Sequence, residues 1–128
     1  MDAFDISASG LSAQRARLDL IASNIANVET TRTSEGGPYK RLQSVFAARA
    51  NPGGVEMIGA VADPREPRRV YQPGHPDADA EGFVAYPNVS IVEEMVDLVS
   101  ATRSYEANAA AFNAAKGMAQ RALELGRA

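Results

Sequence analysis

The sequence predicts an α+β protein in which two long terminal α-helices flank a small β-rich insert. Apolar residues recur at helical spacing near both ends of the chain, where alanine is also concentrated, and all seven prolines fall between Pro38 and Pro87. Because proline interrupts both long helices and central strands, only short elements fit the middle. We therefore expect an N-terminal axial helix in residues 1–31, the insert in 32–88 and a C-terminal axial helix in 89–128.

The first helix is predicted to begin near Phe4 and to fade near Asn27. Its apolar residues, three and four positions apart, form a narrow stripe that resembles a coiled-coil seam more than a broad core face. The β-branched residues after Asn27 and the Gly-Gly-Pro of residues 36–38 should end the helix. The residues that we expect at its seam are Leu11, Leu18, Ile21, Ile25 and Val28.

The middle of the chain predicts four short strands, in residues 39–48, 55–62, 69–71 and 82–85. Clusters of proline, glycine, asparagine and aspartate separate them, as expected for tight turns.

The last helix is predicted over residues 90–125. Ser90 and Glu93 have the spacing of a capping box, Glu94 reads as a second capping charge, and Gly126 stands where a left-handed C-terminal cap would lie. From Ile91 a heptad pattern continues for more than four repeats, with no obvious cover within the chain. The residues that we expect at its seam are Met95, Leu98, Tyr105, Phe112 and Leu123.

Four asparagines lie on or near these seams, namely Asn24, Asn27, Asn108 and Asn113. A buried amide must find hydrogen-bond partners and so fixes the register of a helix pair, whereas an exposed one is simply solvated. The sequence leaves both interpretations open.

Composition excludes several classes of function. A formal net charge of -3 and a pI near 5.1 argue against binding to nucleic acid or to anionic membranes, which needs a concentrated basic face. Without cysteine there are no disulfides or thiolate metal sites, and no stretch approaches the roughly 20 apolar residues that span a membrane. Residues 1–5 lack the pattern of a cleaved secretory signal, so we expect a soluble protein, cytoplasmic or exported by another route.

One turn could carry chemistry. Asp77, Asp79 and Glu81 precede Gly82 with the spacing of the first half of a calcium loop, but Asn88 replaces the bidentate glutamate at the twelfth position. A calcium- or metal-binding module that uses the turn from Asp77 to Glu81 is therefore the alternative function. The favoured interpretation is a polar turn whose carboxylates cap its own backbone.

No catalytic constellation accompanies this turn. The single histidine of the chain lies within it, no nucleophile elbow precedes a serine, and no glycine-rich loop is built to cradle phosphate. We expect neither an enzyme nor a cofactor, nor a small-molecule substrate.

Several blocks, in order along almost the whole chain, resemble one family. The first joins Leu-Ser-Ala-Gln at residues 11–14 to Ile-Ala-Ser-Asn-Ile-Ala-Asn-Val-Glu-Thr-Thr at 21–31. Later blocks are Tyr-Gln-Pro-Gly-His-Pro-Asp-Ala-Asp at 71–79, Pro-Asn-Val at 87–89 and Arg-Ser-Tyr-Glu-Ala-Asn at 103–108. These residues resemble the axial rod and hook proteins of the bacterial flagellum, and within them the proximal rod proteins.

The resemblance implies a structural subunit of the basal-body rod that polymerises through its terminal helices. It implies as partners other copies of the chain, other flagellar rod proteins and the flagellar type III export apparatus. It implies a place in the periplasm-spanning rod, reached without a cleaved signal. The two helical stripes alone would favour an antiparallel hairpin over the insert that forms an ordinary intramolecular core.

Overall fold

Two long helices and two small antiparallel sheets make up the structure, a computed structural model that describes residues 3–50 and 53–127. In chain order the elements are α1 (Ala3–Ala26), β1 (Leu42–Ala48), β2 (Val55–Ala62), β3 (Arg68–Tyr71), β4 (Phe83–Tyr86) and α2 (Ile91–Arg127). This order confirms the predicted α+β architecture. Residues 51 and 52, which belong to the predicted turn between the first two strands, lie outside the described ranges.

All four predicted strands are present, each within three residues of its expected start. β1 pairs with β2 and β3 pairs with β4, both antiparallel, and a bulge interrupts the first pair between Val45 and Phe46. β1 begins later than predicted because Tyr39 is bound elsewhere: its N–H donates to the Thr30 carbonyl at 3.0 Å, and its hydroxyl donates to Asn24 at 2.7 Å. The loop before β1 is thereby fastened to the end of α1.

The predicted start of α2 is confirmed, although only half of the capping box forms. The Glu93 N–H donates to Ser90 Oγ at 3.4 Å and the Glu94 N–H donates to the Ser90 carbonyl at 2.9 Å. The Glu93 carboxylate does not return to Ser90, because it pairs with Arg65 at 3.2 Å.

The predicted C-terminal cap at Gly126 is wrong, since α2 continues to Arg127 and Gly126 does not adopt a positive φ. No other part of the described chain lies within 4 Å of where its Cβ would be. No tertiary contact therefore competes with the helical hydrogen bonds at this end.

The two helices pack against each other in antiparallel orientation. The rings of Phe4 and Phe112 meet edge to face with centroids 5.2 Å apart. Further along, Gly10 faces Asn108, and near the other end the amide of Asn24 lies 3.4 Å from the carboxylate of Glu94. As the residue number rises in α1, the number of its partner in α2 falls. The intramolecular helix hairpin that the sequence left open is therefore present.

The β1–β2 hairpin also packs against α1, and within the described residues its strands do not contact α2. Asn24 exchanges two hydrogen bonds with the backbone of Leu42, at 2.9 and 3.0 Å, near the end of α1. Near its beginning, Ser9 Oγ accepts a hydrogen bond from the Val55 N–H at 3.0 Å. Helix α1 is thus a middle layer between α2 and this hairpin.

The core that results is small. Among the described residues the buried apolar side chains are Ala13, Ile21, Val84, Val89, Ala101 and Ala115. Of the four largest side chains that are less than 2% exposed, two, Glu94 and Asn24, are polar. Since a buried alanine removes far less apolar surface from water than leucine or phenylalanine does, the helices contribute little hydrophobic stabilisation to each other.

Candidate assembly surface

Most of the large apolar side chains of α2 are exposed. Val92, Met95, Val96 and Val99 form one continuous exposed surface, here called the valine patch, and their exposed fractions run from 53% to 72%. An exposed apolar cluster on a regular helix face is typical of a surface that binds another protein.

A second exposed surface lies at the other end of α2. Phe4, near the described start of α1, contacts Phe112, so the residues of α2 after about 115 lie beyond the described part of α1. Residues 116–127, here called the overhang, extend about 18 Å past α1 at about 1.5 Å per residue. Met118, Leu123 and Leu125 in the overhang are each more than 60% exposed.

The residues predicted at the helix seams do not form one buried seam in the monomer. Ile21 is buried, whereas Met95, Leu98, Tyr105 and Leu123 are exposed. The remaining predicted residues are half-buried: Leu11, Leu18, Ile25, Val28 and Phe112.

The line on α2 that does contact α1 runs through Glu94, Ala101, Asn108 and Ala115, each seven residues after the last. These contact positions have the predicted seven-residue period. Each of them lies one residue before the corresponding position of the predicted seam through Met95, which is a rotation of about 100° around the helix. Small and polar side chains face α1 because they let the two backbones approach closely. The larger apolar side chains are left outside.

The four asparagines take different roles. Asn24 is buried and Asn108 is half-buried against Gly10, so both lie in the contact between the helices. Asn27 donates to the Ser23 carbonyl at 2.8 Å at the end of α1, and Asn113 is exposed.

A cluster of charged residues joins the helices to the insert. Arg41, just before β1, contacts three carboxylates: it pairs closely with Glu94, with Asp63 at 3.2 Å and with Asp97 at 3.0 Å. The Glu94 side chain is fully buried and also accepts a hydrogen bond from Asn24. These residues, Arg41, Asp63, Glu94 and Asp97, are here called the ionic node.

Buried charge must be paired, and the pKa values reflect this. The pKa of Asp63 falls to about 2 because the side chain of Arg65 and its backbone N–H donate to the carboxylate, and Arg41 adds a further hydrogen bond. Burial disfavours the charged form of Arg41, but hydrogen bonding and attraction from Glu94 outweigh it, so the pKa of Arg41 is raised.

Sequence reasoning missed the ionic node. The sequence predicts Glu94 to be a capping charge of the helix, yet the carboxylate is buried and pairs with Arg41. One signal was present in the sequence. Glu94 precedes Ala101, Asn108 and Ala115 at the same seven-residue spacing, which places a charged residue on the same helix face as small and polar ones. Its partner Arg41 is 53 positions away in sequence, and no local pattern connects them.

Comparison with known proteins identifies the family to which the chain belongs. A family described as flagella basal body rod protein matches residues 4–32, and one described as flagellar basal body rod FlgEFG protein C-terminal matches residues 80–125. Flagellar basal-body rod protein FlgC of Yersinia enterocolitica is 44% identical, over 99% of this chain and 98% of its own length. The FlgC proteins of Bacillus subtilis and Aquifex aeolicus are 45% and 44% identical, each over 96% of this chain and at least 94% of their own length. The chain belongs to the FlgC family of flagellar basal-body rod proteins.

The two matched regions of this rod protein contain its two helices. Residues 4–32 cover α1 and the turn after it, and residues 80–125 cover β4 and nearly all of α2. The valine patch and most of the overhang therefore lie in the part that matches the rod family's C-terminal region.

The calcium-like turn of this rod protein has its carboxylates engaged by the chain itself. Asp77 accepts hydrogen bonds from the Thr31 hydroxyl, at 2.6 Å, and from Arg32, which together lower its pKa. Asp79 accepts from the backbone N–H groups of Phe83 and Glu81, each at 2.9 Å, and from Arg69, and its pKa is lowered as well. These contacts favour the interpretation of the turn as a structural cap.

Two further features of the described residues bear on other functions of the rod protein. Within residues 3–50 and 53–127, no group of three or more histidine, aspartate or glutamate side chains is arranged to hold a metal ion. Neither helix, as far as it is described, combines the length and the apolar character needed to cross a membrane.

Proposed function

We propose that this rod protein, a structural subunit, polymerises through its two terminal helices into the proximal part of the helical drive shaft that carries torque from motor to hook. The observation that supports this most is the outward-facing valine patch, an apolar helix surface that α1 does not cover. In the assembled rod, helices of neighbouring subunits would cover it in coiled-coil-like packing. The seam residues from Leu11 to Leu123 would then become interface residues.

The layers of the fold indicate different roles for the terminal helices and for the insert. Residues 1–31 and 89–128 would form the axial part that packs with neighbours, and residues 32–88 would form the outer insert. The ionic node joins the two parts through Arg41, so that force applied to a helix would reach the insert through buried ion pairs. This role needs contacts and stiffness rather than a reacting group, and it is non-catalytic.

A shaft requires contacts between unlike faces of successive subunits. When such a contact repeats with a rotation that does not close, it builds an open helical filament. The partners would be other copies of this chain and other rod proteins. The type III export apparatus would deliver the chain to the periplasmic rod.

Two substitutions of matched exposure test the proposal. Val96 in the valine patch is 63% exposed and Ile58 on β2 is 60% exposed, so an aspartate at either position leaves the core of the isolated chain intact. Each variant is expressed in a motile bacterium that lacks its own FlgC, swimming is scored, and purified basal bodies are probed for the chain. We expect Val96→Asp to lose both swimming and rod incorporation and Ile58→Asp to keep them.

Absence of the unsubstituted chain from the rod fraction, in cells that it restores to swimming, would refute the rod assignment. Full incorporation of Val96→Asp would refute the assignment of polymerisation to α2.

A further inference from the structure

The two exposed surfaces of α2 have the same apolar spacing. In the valine patch Val92, Val96 and Val99 follow one another by four and three residues. In the overhang Met118, Ala122 and Leu125 do the same, and all six side chains are exposed. The three corresponding pairs, 92 with 118, 96 with 122 and 99 with 125, share one offset of 26 residues. One parallel shift of the helix therefore brings all three pairs into register.

The two ends of α2 also differ in the sign of the charge around them. The overhang has three cationic side chains and one carboxylate, which leaves an excess of two positive charges: Lys116, Arg121, Arg127 and Glu124. Around the first turns of α2 the ionic node and its neighbours include four carboxylates and two arginines, an excess of two negative charges: Asp63, Glu93, Glu94, Asp97, Arg41 and Arg65. Half of the Glu93 side chain and a third of Asp97 remain exposed. The ends thus attract each other between copies and repel their own kind.

We propose that the overhang of one copy of this chain docks on the valine patch of a second copy, with the two α2 helices parallel and shifted by 26 residues. The shift equals about 39 Å at about 1.5 Å per residue. The inference rests on the proposed function, because it assigns the partner and the register of the surface proposed for polymerisation.

This arrangement differs from symmetric pairing of two valine patches. The contact joins unlike surfaces, so a pair of copies retains one free overhang and one free patch, and the same contact can add a further copy at either end. It also places the C-terminal end of one α2 beside the N-terminal end of the next. Opposite ends of the two helix dipoles then meet, which is favourable.

The chain has no cysteine, so single cysteines report the contact without background. A Val96→Cys chain is mixed with an Ala122→Cys chain, oxidised with copper phenanthroline and analysed on a non-reducing gel. The matched control replaces Ala122→Cys by Gln120→Cys, an equally exposed position on roughly the opposite side of the helix. Since a disulfide requires Cα atoms within about 7 Å, we expect about tenfold more covalent dimer from the 96–122 mixture than from the 96–120 mixture. Arg121→Glu in the Ala122→Cys chain should reduce the yield.

The same pairs are also oxidised in basal bodies from cells that express them. Equal yields from the 96–122 and 96–120 pairs, in rods that contain the chain and drive swimming, would overturn the docking mode and leave the proposed function intact. A cysteine at 96 that cross-links to a protein of different mass would overturn the second copy as the occupant. Absence of the unsubstituted chain from rods would overturn the proposed function, while the purified mixture would still decide the docking mode.

Discussion

Gly10 determines how closely the two helices approach. A Cβ at this position would lie 2.5 to 2.9 Å from the amide atoms of Asn108, which itself donates to the Ser104 carbonyl at 2.9 Å. Glycine in a helix costs about 1 kcal/mol relative to alanine, and here that cost is offset by a contact that no larger residue allows. Gly10 is thus a packing feature of the helix pair.

A double-mutant cycle tests this contact. We expect Gly10→Ala to lower the free energy of unfolding by about 1 kcal/mol, because the new methyl displaces the Asn108 amide. In an Asn108→Ala background the same change should instead raise it, since the intrinsic preference of alanine for the helix then prevails. Urea unfolding of the four chains measures both effects, and additive behaviour would show that the two residues do not meet.

Arg41 is the one cation that three carboxylates of the ionic node share. Replacing it by methionine leaves the fully buried Glu94 without its counter-charge, so we expect a loss of about 3 to 5 kcal/mol in the free energy of unfolding. Arg32→Met is the control, because the Arg32 side chain is 70% exposed in its pair with Asp77 and such a pair contributes about 1 kcal/mol or less. Similar losses from the two substitutions would mean that the node is solvated.

At the scale of the elements, the acidic side of the node links stability to pH. The pKa of Asp63 is about 2, lowered chiefly by hydrogen bonds from Arg65, whereas in the unfolded chain an aspartate titrates near 3.9. Between these values the unfolded state binds a proton that the folded state does not bind. The stabilisation is therefore fully present above about pH 4 and declines as the pH falls towards about 2.

Urea midpoints at several pH values from 5 down to 3 measure this decline. Asp63→Asn should weaken the pH dependence in that window, because its side chain does not titrate. An unchanged slope in Asp63→Asn would show that other carboxylates dominate, for example Asp77 and Asp79, whose pKa values are also lowered.

An element could be predicted from the sequence where the features that define it lie within a few residues of one another. The helices and strands were found because spacing, caps and proline act within a few residues, as the Ser90 cap shows. The face of α2 that contacts α1 was predicted wrongly. The prediction relied on the spacing of large apolar side chains, whereas the contact with α1 uses the small side chains of Ala101 and Ala115. The partner of Glu94 was missed because it lies on another element. Two lines of residues at seven-residue spacing run along α2, one through Glu94 and one through Met95. Local sequence patterns do not distinguish the line that faces α1 from the line that faces outward.

At the scale of the whole molecule, the fold separates the two interpretations that the sequence left open. An antiparallel helix pair does exist, but on α2 it buries a narrow line of small and polar residues and leaves most of the larger apolar residues exposed. The molecule therefore combines a small intramolecular core with an uncovered helical surface, and the interpretations describe two faces of one helix. Assembly would add the buried apolar area that the monomer lacks.

The most direct test of this account is the accessibility of position 96 before and after assembly. A Val96→Cys chain is treated with a maleimide reagent, once as the purified subunit and once within intact basal bodies, and the labelling rates are compared. Our account predicts rapid labelling of the isolated chain, where this position is 63% exposed, and strong protection in the rod. Equally rapid labelling in both states would contradict it.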